Sequence, residues 1–305
     1  MKTQPANEKS SSWPWRQRIK NDLLYGLMRI AFAAAKTLPL RGPLRLVGCL
    51  APYVFIPLAG RARQQLATAM PHLDAVKTTR RMFVHFAESL WELSRLHSAV
   101  PVLDDNARQL VDRALGEGKG AVVITGHIGN WELLGQAVAA SGYPIATVAK
   151  PLYDPRITRW LQKLRTTHGL QLIWRDEKNA GKTILSVLRS NQLMAFLIDQ
   201  NTKTAGDFIP FFGRPAFTPT VPAAIALRTG APILFGWHHR HAKRHQLNVE
   251  RIHYQVTGDR MHDIRELTRI FNEHLEAAIR RAPEQWVWLH ARWGRNRGGH
   301  EKLTP

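Results

Sequence analysis

A histidine and a glutamate stand five residues apart in Gly126-His127-Ile128-Gly129-Asn130-Trp131-Glu132. The apolar run Gly120–Thr125 before them reads as a buried strand, and Leu133–Val138 after them reads as a helix. His127 therefore falls where a strand ends and Glu132 in the first turn of the next helix. Loops beyond the carboxyl ends of strands are exposed while their flanks are rigid, which suits chemistry. A carboxylate beside an imidazole fixes its tautomer and favours its protonated form, so the spacing points to a general base, His127, with Glu132 as its partner. The competing reading is a satisfied histidine followed by an ordinary first-turn glutamate. Gly126 and Gly129 favour the chemical reading, since a bare backbone lets a substrate approach closely.

The elements that must position this pair are legible around it. Candidate strands are 121–125, 145–149, 171–174, 193–198, 232–237 and 246–256. Candidate helices are 131–140, 155–168, 179–189, 219–229 and 262–282. Their alternation predicts an α/β fold with a mixed, largely parallel sheet flanked by helices. Residues 61–117 read as helical, with Met82, Phe83, Phe86, Leu90 and Leu93 on one face. The expected organisation is a disordered tail over 1–12, a membrane-associated helical segment over 13–60 and a catalytic domain over 61–305. Trp13, Trp15 and neighbouring cations suit a membrane interface. Arg29 and Lys36 interrupt one apolar stretch, and Pro52 and Pro57 interrupt the next, so neither makes a clean span of about 20 residues. The segment reads either as an interfacial helix or as a buried helical hairpin.

Lys plus Arg number 43 against 23 Asp plus Glu, a net charge of +20. Such a chain attracts polyanions: nucleic acid, anionic lipid or an acidic protein. The single cysteine, Cys49, excludes an intrachain disulfide and a cysteine metal site. His238, His239, His241, His245 and His253 are interspersed with Arg240, Lys243 and Arg244, whose charges oppose a cation, so they read as a basic turn between strands and no metal site is expected. Asp199 ends a strand-like run as His127 does. Arg156, Arg159, Lys163 and Arg165 share one helical segment, read either as a phosphate binder or as a solvated face. Residues 208–219 form an aromatic, proline-rich loop that either walls an apolar pocket or packs as a surface loop. No G-x-S-x-G, Walker A or G-x-G-x-x-G motif is present, which leaves serine-hydrolase and nucleotide-binding readings unsupported.

Four blocks taken in order carry a resemblance. They are His127 with Glu132, then Arg165 with His168-Gly169, then Asp199-Gln200 with Pro210-Phe211-Phe212-Gly213 and Ala216-Phe217-Thr218, then Pro283-Glu284-Gln285-Trp286-Val287-Trp288-Leu289-His290-Ala291-Arg292-Trp293. Over roughly residues 20–297 the chain resembles the bacterial lipid A biosynthesis acyltransferases of lauroyl and myristoyl transferase type, in the glycerol-3-phosphate acyltransferase-like group with its H-x4-D/E motif. It departs from them in carrying Arg63-Gln64-Gln65-Leu66 for an arginine-asparagine-leucine stretch, and in lacking an acidic residue after Gln200. The resemblance implies acyl transfer from an acyl carrier protein thioester to a hydroxyl of a lipid A precursor. Another glycolipid, a lysophospholipid or a non-catalytic basic membrane protein are the alternatives. His127 and Glu132 would be catalytic, and Arg165, Asp199, Gln200 and Asn130 would bind substrate. The aromatic loop would line the acyl tunnel. No cofactor is implied. The partners would be acyl carrier protein, an anionic glycolipid and the membrane, not nucleic acid, at the cytoplasmic face of a bacterial inner membrane.

Overall fold

A computed structural model describes residues 13–96, 100–241 and 244–294. The tail over 1–12 lies outside the described residues. Helices α1 (Trp15–Thr37), α2 (Arg41–Val54), α3 (Ile56–Ala69), α4 (Ala75–Leu93) and α5 (Asp105–Leu115) come first. They lead into β1 (Ala121–Thr125), α6 (Trp131–Ala140), β2 (Ile145–Ala149), α7 (Pro155–Arg165), β3 (Gln171–Trp174), α8 (Ala180–Arg189) and β4 (Leu193–Leu197). Then follow β5 (Gly206–Phe211), β6 (Arg214–Pro219), α9 (Val221–Thr229), β7 (Ile233–His241), β8 (Arg244–Ile252) and α10 (Arg260–Arg281).

The main sheet has six strands in the order β3-β2-β4-β1-β7-β8. All neighbours are parallel except β7 and β8, which pair antiparallel. Because β4 pairs with β1 in register Thr125↔Leu197, the loop after β1 and the loop after β4 open side by side. Apolar side chains leave both faces, as a sheet covered on two sides requires. Val122, Ile124, Met194 and Phe196 enter the larger core, beneath α8, α9 and α10. Ala121, Val123, Leu193 and Ala195 enter a second core under α5 and α6.

The stretch 206–219 is not a loop. β5 and β6 form an antiparallel hairpin closed by Phe212 and Gly213, both at positive φ, 49° and 70°. Two successive left-handed residues match the twist of a hairpin. Phe211 and Phe212 sink into the core beside Trp286, Trp288 and Trp293.

Residues 41–69 are two helices bent by 88° at Phe55. Among the described residues no single helix is long and apolar enough to cross a membrane; α2 and α3 together pass that test on length and composition. The expected boundary at residue 60 falls inside α3, whose Ala59, Ala62 and Leu66 are buried in the main core. α1 and α2 differ: Leu23, Leu27, Ile30, Leu46, Leu50 and Val54 are all exposed.

Candidate active site

His127 leaves β1 two residues past its end and points into a cavity of about 770 Å³. Its partner is Asp199, two residues past the end of β4. Asp199 Oδ1 lies 2.8 Å from Nδ1 of the ring, and Oδ2 accepts from the His127 backbone N–H at 2.6 Å and from Trp286 Nε1 at 2.7 Å. The carboxylate is 1% exposed. Burial alone would raise its pKa. The His127 imidazole charge, with hydrogen bonds from that ring, Trp286 and the His127 N–H, outweighs burial and holds it at about 2. An ionised Asp199 cannot donate, so Nδ1 carries a ring proton, and in the neutral form of the ring the lone pair lies on Nε2. The Gln200 side-chain amide nitrogen lies 3.3 Å from Nε2. Both His127 and Gln200 line the cavity.

Glu132 is therefore not the imidazole's partner. It takes a two-point ion pair with Arg165, from Nε at 2.8 Å and from Nη2. The cause is geometric. Gly129 at φ 62° turns the chain, and Trp131, the first residue of α6, packs its indole edge-on against the His127 ring at 4.9 Å. The indole N–H reaches Glu132 Oε1 at 3.3 Å. Arg165 ends α7, and Gln136 of α6 locks it by donating to its carbonyl while accepting from the His168 N–H at 3.1 Å. Glu132 and Arg165 both line the cavity as a half-buried pair beside His127.

Asn130 does not line the cavity. It is 1% exposed, and its side chain caps α6 by accepting from the Leu133 N–H. Its amide donates to Glu92 Oε2 at 2.9 Å and to Ser89 O. Its backbone N–H donates to His238 Nδ1 at 2.8 Å. His238 Nε2 in turn meets His245 Nδ1 at 2.9 Å, and His245 Nε2 lies 3.7 Å from Glu92 Oε1. Arg240 closes this buried cluster with two bonds to Glu92, at 2.8 and 2.6 Å, and others to Glu88, Ser89 and His85 Nδ1. Burial and the Arg240 charge hold His85 at about 3; burial, then the His245 and Arg240 charges, hold His238 well below an ordinary histidine. Both rings are neutral acceptors, as their bonds require. The histidine-rich stretch thus braces the loop after β1 from behind, and among the described residues no group of three or more His, Cys, Asp or Glu side chains is placed to hold a metal. The two glycines serve this bracing rather than substrate approach: a Cβ on Gly126 would meet Asp199 Oδ2 at 3.0 Å, and one on Gly129 would meet His238 O at 2.1 Å.

The carboxyl-terminal aromatic block clamps the same loop from the front. Gly129 N–H donates to Gln285 O at 2.7 Å, and Val287 N–H to His127 O at 3.3 Å. The Gln285 side chain bonds both backbone groups of Arg240. Gln65, where the resemblance calls for asparagine, joins α3 to this block through Trp288 O, His290 O and Arg292 N. Arg292, wholly buried, donates to Phe217 O and Thr218 Oγ1 and so holds the β5–β6 hairpin.

The cavity is apolar below its mouth. Val123, Leu134, Val138, Ile145, Leu193, Ala195 and Leu234 wall a limb between the sheet and α6. From Leu197 down to Leu193 that limb runs about 13 Å at strand rise. No residue of 208–217 lines it, so the aromatic stretch is core and not tunnel wall. A base opening onto a long apolar slot can deprotonate a hydroxyl while a chain lies beneath it.

A family described as “Bacterial lipid A biosynthesis acyltransferase” matches residues 48–295. Over 187 residues the chain is 24% identical to a “Phosphatidylinositol mannoside acyltransferase” of Mycobacterium tuberculosis (strain CDC 1551 / Oshkosh), covering 60% of this chain and 57% of that protein. Over 190 residues it is 24% identical to the protein of that name from Mycolicibacterium smegmatis (strain ATCC 700084 / mc(2)155), covering 59% of each. The match spans under two thirds of the length of these relatives.

Proposed function

The chain belongs to the bacterial lipid A biosynthesis acyltransferase family, and from that premise we propose that it moves a fatty acyl group from an acyl carrier protein thioester to a hydroxyl of an anionic glycolipid, of the Kdo2-lipid A type. The observation that carries the chemistry is the Asp199–His127 pair, which leaves Nε2 as the one basic ring nitrogen, at the mouth of an apolar slot. The acceptor oxygen attacks the thioester carbonyl as its proton passes to Nε2. The C–S bond then breaks, and the departing thiolate takes that proton. Asp199 stabilises the imidazolium formed between these steps. The Gln200 amide, which stands 3.3 Å from Nε2, is displaced by the incoming hydroxyl and donates to the developing oxyanion. The acyl chain lies along Val123, Ala195 and Leu234 beneath α6.

The donor reading rests on charge. A +20 chain attracts an acidic carrier protein. The membrane reading rests on the exposed apolar side chains of α1 and α2, which suit the cytoplasmic surface of a bacterial inner membrane. A second acceptor reading, a phosphatidylinositol mannoside, is favoured by the names of the mycobacterial relatives. The decisive experiment incubates the purified protein with acyl carrier protein thioester and each lipid in turn, and reads lipid masses. Gain of one acyl mass by the lipid A precursor alone supports the first acceptor, and gain by the mannoside alone supports the second. No gain by any lipid overturns the function.

A further inference from the structure

The sheet order sets four loops in a row. The carboxyl ends of β1, β4, β2 and β3 are adjacent, and they carry His127, Asp199, Lys150 and Arg175 respectively. Lys150 and Arg175 each stand one residue past their strand. Those strands are in register at Ala149↔Trp174, and the Arg175 N–H continues the ladder to Ala149 O at 2.9 Å. The two cations therefore start about 5 Å apart, one strand spacing. Both line the cavity that His127 opens into. β2 and β3 lie two and three strands from β1, so the cations stand about 10–14 Å along the row from the base.

Their partners decide what they can do. Among the described residues the Lys150 ammonium has no hydrogen bond or ion pair. Arg175 has one bond from Nε, 3.3 Å to Asp176, whose side chain is 62% exposed. A solvated pair of that kind holds an arginine weakly. Other arginines nearby are spent. Arg165, which the resemblance assigns to substrate binding, gives Nε and Nη2 to Glu132. Arg156 is shared between Asp154 and Asp22. An anion entering the mouth thus finds its available positive charge at Lys150 and Arg175.

Building on the acyl-transfer reading, we propose that Lys150 and Arg175 bind a phosphate ester of a substrate laid across the strand ends, with its reacting group at His127. The arginine fork and the lysine point charge suit a group with several acceptor oxygens. The ester belongs either to the prosthetic arm of the donor or to the head group of the acceptor. Titration calorimetry on the whole protein distinguishes them with two matched pairs of soluble probes: 4′-phosphopantetheine against pantetheine, and dihexanoylphosphatidic acid against dihexanoylglycerol. In one pair the phosphate-bearing probe should bind roughly tenfold more tightly than its phosphate-free counterpart. That pair names the source. The double variant Lys150→Ala/Arg175→Ala should lose the margin, while Lys150→Arg/Arg175→Lys should keep most of it. No margin in either pair, or a margin that survives the double alanine change, overturns the assignment. The readout needs no turnover, so it stands or falls separately from the acyl-transfer reading.

Discussion

Replacing Asp199 by asparagine is the perturbation whose consequence the geometry fixes most tightly. One carboxylate oxygen accepts from the ring Nδ1–H, and the other from the backbone N–H of His127 and the indole of Trp286. An asparagine has one oxygen for these two positions. Two buried donors share one position and a single donor holds the other, so the oxygen turns to the pair and the NH2 group turns to Nδ1. Nδ1 must then accept, the ring proton moves to Nε2, and the base is lost. Charge is lost as well. At 2.8 Å and an effective dielectric constant of about 20, an imidazolium–carboxylate pair is worth about 6 kcal/mol before solvent exposure of the ring reduces it. A loss of about 4–6 kcal/mol corresponds to roughly 10³–10⁴ in kcat. Glu132→Gln weakens the Arg165 pair and leaves the tautomer of His127 alone, so it should cost less. The assay is single-turnover acyl transfer, with circular dichroism for folding and ¹⁵N chemical shifts of the imidazole for the tautomer. A folded Asp199→Asn protein within tenfold of the unmodified rate, or still protonated at Nδ1, would show that Asp199 does not set the tautomer of the base.

Further expectations follow from the buried cluster, the slot and the amino-terminal helices. His85 and His238 are held neutral, so the folded state binds fewer protons than the unfolded chain, and stability should fall as pH drops below about 6.5, by about 1.4 kcal/mol per pH unit for each ring. Thermal melts at pH 7 and 5 measure this, and equal midpoints would contradict it; Asp199, held at about 2, adds its own loss only between about pH 4 and 2. Ala195→Leu fills the slot midway down β4 and should shift the preferred acyl chain to shorter lengths; an unchanged length profile in a mixed-donor competition would remove the chain from this limb. Changing Leu23, Leu27 and Ile30 to serine should release the protein from anionic vesicles in a sedimentation assay, because these side chains are exposed and hold no core together. Unchanged sedimentation of the folded triple variant would assign membrane binding elsewhere.

Much of the fold was legible because strand and helix periods differ sharply. β1, β2, β3 and α6 fall on the expected residues. Gln200 and Arg165 were singled out by the resemblance, while the candidate residues His127, Asp199 and Glu132 were visible from their places at element ends. Their pairing was not. Chain spacing suggests His127 with Glu132, five residues on, whereas strand order sets β4 beside β1 and brings Asp199 in from 72 residues away. Strand order is a tertiary property that no local pattern encodes. The β5–β6 hairpin was missed because Phe212 occupies a left-handed turn position that asparagine or glycine usually marks, although Gly213 beside it was a signal. The Glu92–Arg240 cluster left a trace as well: His85, Glu88, Ser89 and Glu92 recur at helical spacing along α4, a buried polar stripe beside its apolar one.

The central claim is that His127 Nε2 takes the proton of an acceptor hydroxyl during acyl transfer. Single-turnover mass spectrometry of the unmodified protein and His127→Ala, each with acyl thioester and the lipid acceptor, tests it most directly. Acylated lipid should appear with the unmodified protein, and its formation should slow by about 10²–10⁴ in a variant that melts normally. A folded His127→Ala protein that acylates the lipid at the unmodified rate would contradict it.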